Sequence, residues 1–397
     1  MNPTLLTFGC RLNAHESDAM AHHARGKDDT IIVNTCAVTT TAERQARQAV
    51  RRAHRERPDA KIIITGCASE IDAARWSALP GVTRVIPNAD KLKPEIWGDT
   101  TPGLPPSRHA RALLQVQQGC DHRCTFCIIP FGRGDSRSTP TEEAITRAQA
   151  LCETGHREIV LTGVDIASWS GANNEGLGAM CRSLLRAVPG IERLRLSSID
   201  PVALDTKNGD PDLWWLLENE PRLMPHLHLS LQAGSDLILK RMKRRHTTAC
   251  VADLISRARQ MRPDLGIGAD LIAGFPTETN TLFEETLSFI QDQAIPFLHV
   301  FPYSERPGTP AARMPAVPNS KRQERAARLR AAGEANRDAF LARFIGKNVT
   351  VLVETPTQGH SPEFAPVNLS GNIPPRGTIA LASVTGIENG ALIGKIS

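Results

Sequence analysis

Six of the nine cysteines stand in patterns that can hold a metal centre. Cys120, Cys124 and Cys127 fall in GCDHRCTFC, directly after the run LLQVQ, and thiolates spaced C-x3-C-x2-C can close around one centre. Zinc is one occupant of such a loop, but structural zinc takes four tetrahedral Cys or His ligands, and only His122 stands nearby as a fourth. The other occupant is a four-iron four-sulfur cubane held by three thiolates, with one iron left open to a ligand. Cys10, Cys36 and Cys67 are 26 and 31 residues apart, yet each ends a strand-like run in the same way: TLLTFGC, TIIVNTC and KIIITGC. Each separation is therefore one βα unit, and all three thiols leave the carboxyl edge of one parallel sheet, where ligands bind in α/β folds. A second three-thiol centre is expected there. Cys152, Cys181 and Cys250 lie in helical patterns without patterned partners and read as packing residues.

Positioning these thiols requires a definite scaffold. Short β-branched runs at 4–8, 30–33 and 61–65 alternate with helical patterns at 13–24, 42–57 and 70–79, which predicts an N-terminal parallel α/β sheet. Pro and Gly cluster over 87–107, read as a linker. A second βα alternation follows, with strands expected at 113–117, 158–161, 193–197, 227–231, 266–273 and 296–303, as in an open, partial TIM-type barrel. The stretch 321–343 is rich in strong helix formers and starts at Asn319 and Ser320. NVTVLVE, TIALASV and ALIGKIS then alternate like strands of a small β-barrel. The chain is thus expected to be α/β with three domains: 1–102, 106–340 and 343–397.

Composition agrees with a packed protein and excludes a largely disordered one, with 41% hydrophobic and 22% charged residues over 397 positions. A formal net charge of +5 permits an anionic partner, and basic residues cluster at 44–57, 240–246 and 321–330. No apolar run has the length of a membrane helix and the start MNPTLLTFGCRLN lacks a signal-peptide pattern, so a cytoplasmic protein without membrane contact, its thiols reduced, is expected.

The segments FGCRLN, NTCAVT, TGCA and GCDHRCTFC, in this order, resemble the methylthiotransferase family of radical S-adenosylmethionine enzymes. The likeness continues through LTGVDIASW, LSSIDP, HLSLQAGSD, GADLIAGFPTET and FPYSERPGTPAARM into a C-terminal stretch similar to that family's small RNA-binding TRAM barrel. NTCAVTTTAERQARQAVRRA is most similar to the branch acting on threonylcarbamoyladenosine in tRNA. Trp169 and Phe364 stand where Tyr is commoner in the family, and the ARGKDD segment is shorter than usual.

The resemblance implies two 4Fe–4S clusters, one on Cys120, Cys124 and Cys127 for radical generation and an auxiliary one on Cys10, Cys36 and Cys67 that carries the sulfur. It also implies two molecules of S-adenosylmethionine per turnover, an electron donor and a sulfur donor of unknown identity, and the anticodon stem-loop of tRNA as partner, with the adenosine at position 37 as target. Cofactors of this kind carry the hard chemistry, so no acid–base or nucleophile constellation is required of the protein. For S-adenosylmethionine the candidate contacts are Thr162, Gly163, Ser198 and Gln232 at strand ends, and Arg133 and Arg137 after the thiol loop, the two arginines being candidates for a tRNA phosphate as well. Methylthiolation of isopentenyladenosine or of a ribosomal-protein aspartate would use the same cysteines, and a non-catalytic iron–sulfur RNA-binding or electron-carrying protein is the alternative from another class.

Overall fold

The structure, a computed structural model, describes residues 3–99, 107 and 109–396. Strands Thr4–Thr7, Thr30–Thr35, Lys61–Gly66 and Val82–Val85 lie side by side in chain order, all parallel. Apolar residues run consecutively along the inner strands, so both faces are covered: helix Thr40–Glu56 packs Ala46 and Val50 against Ile31, Val33, Ile62 and Ile64, while helix Arg11–His23 places Met20 against Ile32. The fourth strand escapes sequence reading because VTRV is short and sits at the sheet edge, half-exposed. The helix expected over 70–79 is two short ones, Cys67–Ile71 and Ala73–Ser77, because the Asp72 carboxylate accepts from the Arg75 backbone N–H and caps the second.

The expected linker is largely a packed segment. Residues 100–106 lie outside the described residues, but 87–99 are folded onto the sheet domain: Lys91 and Trp97 are buried, and the indole N–H donates to the Lys91 carbonyl at 2.8 Å. Proline and glycine there shape the turn of Pro94–Trp97 and do not mark free chain.

Six parallel strands follow in chain order, the third of them broken in two. Arg111–Gln115, Glu158–Thr162 and Arg193–Leu196 form one sheet; Ser198–Ile199, His226–Gln232, Gly266–Ala273 and Phe297–Pro302 form the next, the break falling at Ser197. First and last strands do not pair among the described residues, so the barrel is open. Leu114, Leu161, Leu194, Leu229, Leu271 and their neighbours point outward into one large apolar core under the helices. Helix Asn319–Ala342 closes the barrel's far side; its cap position is Pro318, which has no side-chain cap, so the Asn319–Ser320 start is one residue inside the helix.

The C-terminal segment is a closed five-stranded barrel in the order Asn348–Thr355, Gln358–His360, Pro366–Gly371, Ala391–Ile396 and Ile379–Glu388. Two of these strands are missing from the sequence reading, one being three residues long and the other starting at a proline. Among the described residues no helix is long and apolar enough to cross a membrane.

Candidate active site

Cys10, Cys36 and Cys67 follow the carboxyl ends of three adjacent parallel strands. Glycine makes two of these turns possible. Gly9 has φ +98°, and a Cβ there would stand 2.6 Å from Cys36 Sγ; Gly66 has φ +106°, and a Cβ there would stand 2.4 Å from the Thr35 backbone. Asn13, three residues after Cys10, donates from Nδ2 to the carbonyls of Phe8 at 2.7 Å and Thr35 at 3.0 Å and so ties two strand tops together. All three thiols are free; Cys36 and Cys67 are buried and Cys10 is exposed. Burial pushes the Cys36 thiol up to about 11, and the neighbouring Cys10 and Cys67 push in the same direction.

A buried ionic knot backs this set. Arg133, from the segment after the second thiol loop, places Nε 3.1 Å from Cys67 Sγ and Nη1 2.7 Å from Glu16, and its other amino group donates to Asn13. Lys91 Nζ lies 2.6 Å from the second Glu16 oxygen, with both side chains 0% exposed. Arg133 is therefore committed to the N-terminal sheet, and the expectation that it meets S-adenosylmethionine or a tRNA phosphate is corrected. Burial alone would raise the Glu16 carboxyl, but the charges of Lys91 and Arg133 and their hydrogen bonds outweigh it and hold it at about 2, against 4.5 for a free glutamate. Replacing Glu16 with Gln leaves two buried cations unpaired and is expected to destabilise the protein by about 3–5 kcal/mol at neutral pH. Because the native carboxyl titrates low, the wild-type advantage is present above pH 4.5 and disappears as the pH falls toward 2. Urea midpoints of the two proteins across this range check both statements, and coincident midpoints at pH 7 would refute them.

The second set sits in a loop held at both ends. The Cys120 N–H donates to the Gly134 carbonyl at 3.1 Å, and Thr125 donates its N–H to the Met242 carbonyl and its hydroxyl to the Arg241 carbonyl. Arg244 spans from Cys124 Sγ at 3.5 Å to Asp200 at 2.9 Å. Burial pushes the Cys120 thiol up to about 11 and the Cys127 thiol up to about 12. Crowded buried thiols of this kind lose their protons to a metal centre and not to water. His122 is engaged elsewhere, its Nε2 lying 2.9 Å from Asp165. Among the described residues, the groups whose donor atoms gather within 4.8 Å are His22, His23 and Asp99, and His228, Asp270 and His299; neither contains a cysteine. Each set offers three thiolates and no fourth, which suits a three-thiolate cluster with one open iron better than the four-ligand site of a structural zinc ion.

Between the two loops lies a cavity of about 280 Å³. Val38 and Thr39, just after Cys36, line one side, Phe126 of the second thiol loop another, and Gln232, Asp270 and Tyr303 the barrel side. Gln232 lies on this wall in the left-handed region, φ +70°, and Ser198 reaches it through Asp270, to which its hydroxyl donates at 3.0 Å. Thr162 is buried and its carbonyl accepts from the Val116 N–H at 2.9 Å, which leaves that oxygen engaged within the sheet. Gly163 packs against Gln117, whose side-chain oxygen accepts from the next two backbone N–H groups. Arg137 is exposed and turned toward the carbonyls of Asp135 and Arg133, away from this cavity.

Below the cavity the barrel lumen is polar, unlike the bulky apolar filling of a closed barrel. Alternate residues of the strands face inward: Arg111, Glu158, Arg193, Arg195, His226, His228, Asp270 and His299. Its floor is the C-terminal barrel. Arg193 donates to the Thr350 carbonyl and hydroxyl, Arg195 to Glu158 and the Pro362 carbonyl, and Arg111 meets Glu354 at 3.0 Å. Phe364 rises from this floor, with His226 and His360 each stacked 4.7 Å from its ring centroid. The inner Asp270 carboxylate is shared by His228 at 3.1 Å and His299 at 3.3 Å, which with their hydrogen bonds hold it well below the usual range despite its burial.

Sequence reading passes over this lumen, although RLRLSS and HLHLS carry its period-two signal in plain view. Of the three basic stretches, 240–246 and 321–330 are largely absorbed: Arg244 by Asp200, Arg325 by Glu278 and Arg328 by Glu284. Helix Thr40–Glu56 alone keeps a cationic face, where Arg44, Arg51, Arg52 and Arg55 are exposed and without an acidic partner among the described residues.

Residues 114–290 match the model of the radical SAM superfamily, and residues 3–86 match the uncharacterized protein family UPF0004. The threonylcarbamoyladenosine tRNA methylthiotransferase MtaB of Rickettsia prowazekii is 42% identical, over 97% of this chain and 95% of that protein. Its namesake from Bacillus subtilis is 32% identical over 88% and 84%, and a tRNA-2-methylthio-N(6)-dimethylallyladenosine synthase of Cereibacter sphaeroides is 34% identical over 88% and 86%. Among solved structures, the radical S-adenosylmethionine methyltransferase TsrM of Kitasatospora setae shares the fold with a TM-score of 0.55 at 14% identity, covering 76% of this chain and 65% of that one.

Proposed function

Because the chain belongs to the methylthiotransferase family of radical S-adenosylmethionine enzymes, we infer that it converts threonylcarbamoyladenosine in tRNA into the 2-methylthio derivative. S-adenosylmethionine and 4Fe–4S clusters are its cofactors, and when bound they supply the radical, the methyl group and the inserted sulfur. What supports the assignment of roles is that neighbours of both thiol sets, Val38 and Thr39 after Cys36 and Phe126 between Cys124 and Cys127, line one cavity. Cys120, Cys124 and Cys127 hold the cluster that meets S-adenosylmethionine, and Cys10, Cys36 and Cys67 hold the auxiliary one. Arg133 sets a positive charge beside Cys67, which opposes the burial that pushes that thiol up, and Arg244 lies beside Cys124. Gln232 and Ser198 orient S-adenosylmethionine in the cavity, with Thr162 and Gly163 shaping the wall below the loop.

The chain works as three modules, 1–102, 106–340 and 343–397, with an electron donor and a sulfur donor as further partners and the cytoplasm as the site of work. The anticodon stem-loop lies along the cationic face of helix Thr40–Glu56 and the C-terminal barrel, where phosphate contacts give orientation and affinity. The adenosine at position 37 is turned out of the loop toward the cavity, since single-stranded bases are read when splayed. Matched tRNAs carrying threonylcarbamoyladenosine or isopentenyladenosine, given to reconstituted enzyme, test the substrate. Mass analysis of the nucleosides is expected to show 2-methylthio product from the first and at least about tenfold less from the second. Equal conversion, or conversion of the isopentenyl form alone, would overturn the reading.

A further inference from the structure

We propose that Arg11 is the residue that selects the substrate, by pairing its guanidinium with the carboxylate of the threonylcarbamoyl group; the inference rests on the function proposed above. Arg11 directly follows Cys10 and enters the barrel lumen, with its Cζ 5.5 Å from the centre of the Phe364 ring. Three other guanidinium groups share this region and each has an oxygen partner: Arg111 has Glu354, Arg193 has Thr350 and Arg195 has Glu158. Arg11 alone of the four makes no hydrogen bond or ion pair among the described residues.

Glu158 is taken by Arg195 and Glu354 by Arg111, and Asp270 is already engaged by two imidazoles and the Ser198 hydroxyl. The half-buried Arg11 guanidinium therefore keeps its donors free for an incoming anion, which a charged pair of hydrogen bonds would hold. Beside Arg11 lies a cavity of about 320 Å³, walled by Ala14, Leu113 and Val160 as well as Arg111. That space accepts a substituent of about ten non-hydrogen atoms, the size of the threonylcarbamoyl group.

The chemistry of the two candidate substrates then separates them. The threonylcarbamoyl group carries a carboxylate that a guanidinium can bind through two parallel hydrogen bonds. An isopentenyl group has no acceptor, so its entry would leave Arg11 unpaired in a dry site, which is the stronger route to discrimination. Asp270, the acid with the largest effect on Arg11, is already held by His228 and His299.

The test measures equilibrium binding to the anaerobically reconstituted holoenzyme with S-adenosylmethionine omitted, so that no turnover occurs. Three anticodon stem-loop RNAs are compared, bearing threonylcarbamoyladenosine, its carboxyl methyl ester, or plain adenosine. Wild type is expected to bind the acid about 10–100-fold more tightly than the ester, the worth of a hydrogen bond to a charged group. In Arg11→Gln that ratio falls to within about twofold of unity, and Arg11→Lys recovers some of it. The ratio is internal to each variant, so a general loss of folding or of iron cancels. If Arg11→Gln keeps the wild-type ratio, the proposal is overturned while the function stands. If it weakens all three RNAs equally, Arg11 binds a phosphate and the proposal is overturned as well. A wild type that binds the acid no better than plain adenosine overturns the substrate reading itself.

Discussion

Replacing Cys120, Cys124 and Cys127 together with alanine lowers the iron of the reconstituted protein from about eight to about four per chain and takes release of 5′-deoxyadenosine below detection. The size of the effect follows from the geometry. These three thiols share the loop whose Phe126 lines the cavity, and Arg244 couples one of them to Asp200 inside the barrel. The Glu16, Lys91 and Arg133 knot is untouched, so the N-terminal set keeps its surroundings and its iron. Iron remaining near eight per chain in the triple variant would sink the assignment.

The reciprocal variant separates the two halves of the reaction. With Cys10, Cys36 and Cys67 changed to alanine, S-adenosylmethionine is still cleaved in the presence of a strong reductant, whereas the methylthio product is lost. About four irons per chain remain, now in the barrel loop. Measuring 5′-deoxyadenosine and the modified nucleoside in one reaction distinguishes this outcome from simple inactivation. Normal methylthiolation would remove the N-terminal thiols from the chemistry. Gly9 and Gly66 make the point by a milder route, since any side chain there collides with the Cys36 thiol or the Thr35 backbone and misplaces the set without deleting a ligand.

How much of the molecule is legible in the sequence depends on the range of the interaction concerned. The thiol positions can be read because each follows a strand, and strand, turn and helix are written within about ten residues of one another. Basic residues can be counted but not sorted, because whether Arg325 faces water or Glu278 is decided 47 residues away. Arg133 shows the same limit: its sequence neighbours suggest a ligand, and its partners Glu16 and Asn13 lie 117 and 120 residues upstream. The lumen is hidden for a different reason. Alternating polar residues in a parallel strand look like a solvent face, and only closure of the sheet around them turns that face inward. Of the two missed strands of the terminal barrel, Gln358–His360 has too few residues to show a period and Pro366–Gly371 opens on a proline.

The knot joining Glu16, Lys91 and Arg133 has a bearing on domain exchange. Two of its members belong to the N-terminal domain and the third to the barrel, and none of the three is more than 5% exposed. Apart from one another, Arg133 would be a stranded cation in the barrel and Glu16 would answer only Lys91. A domain exchanged for one that lacks the acid or the arginine would import a charge that has no counterpart. Chimeras that exchange 3–99 are therefore expected to fold only when the incoming segment brings an acid to the place of Glu16 opposite Arg133.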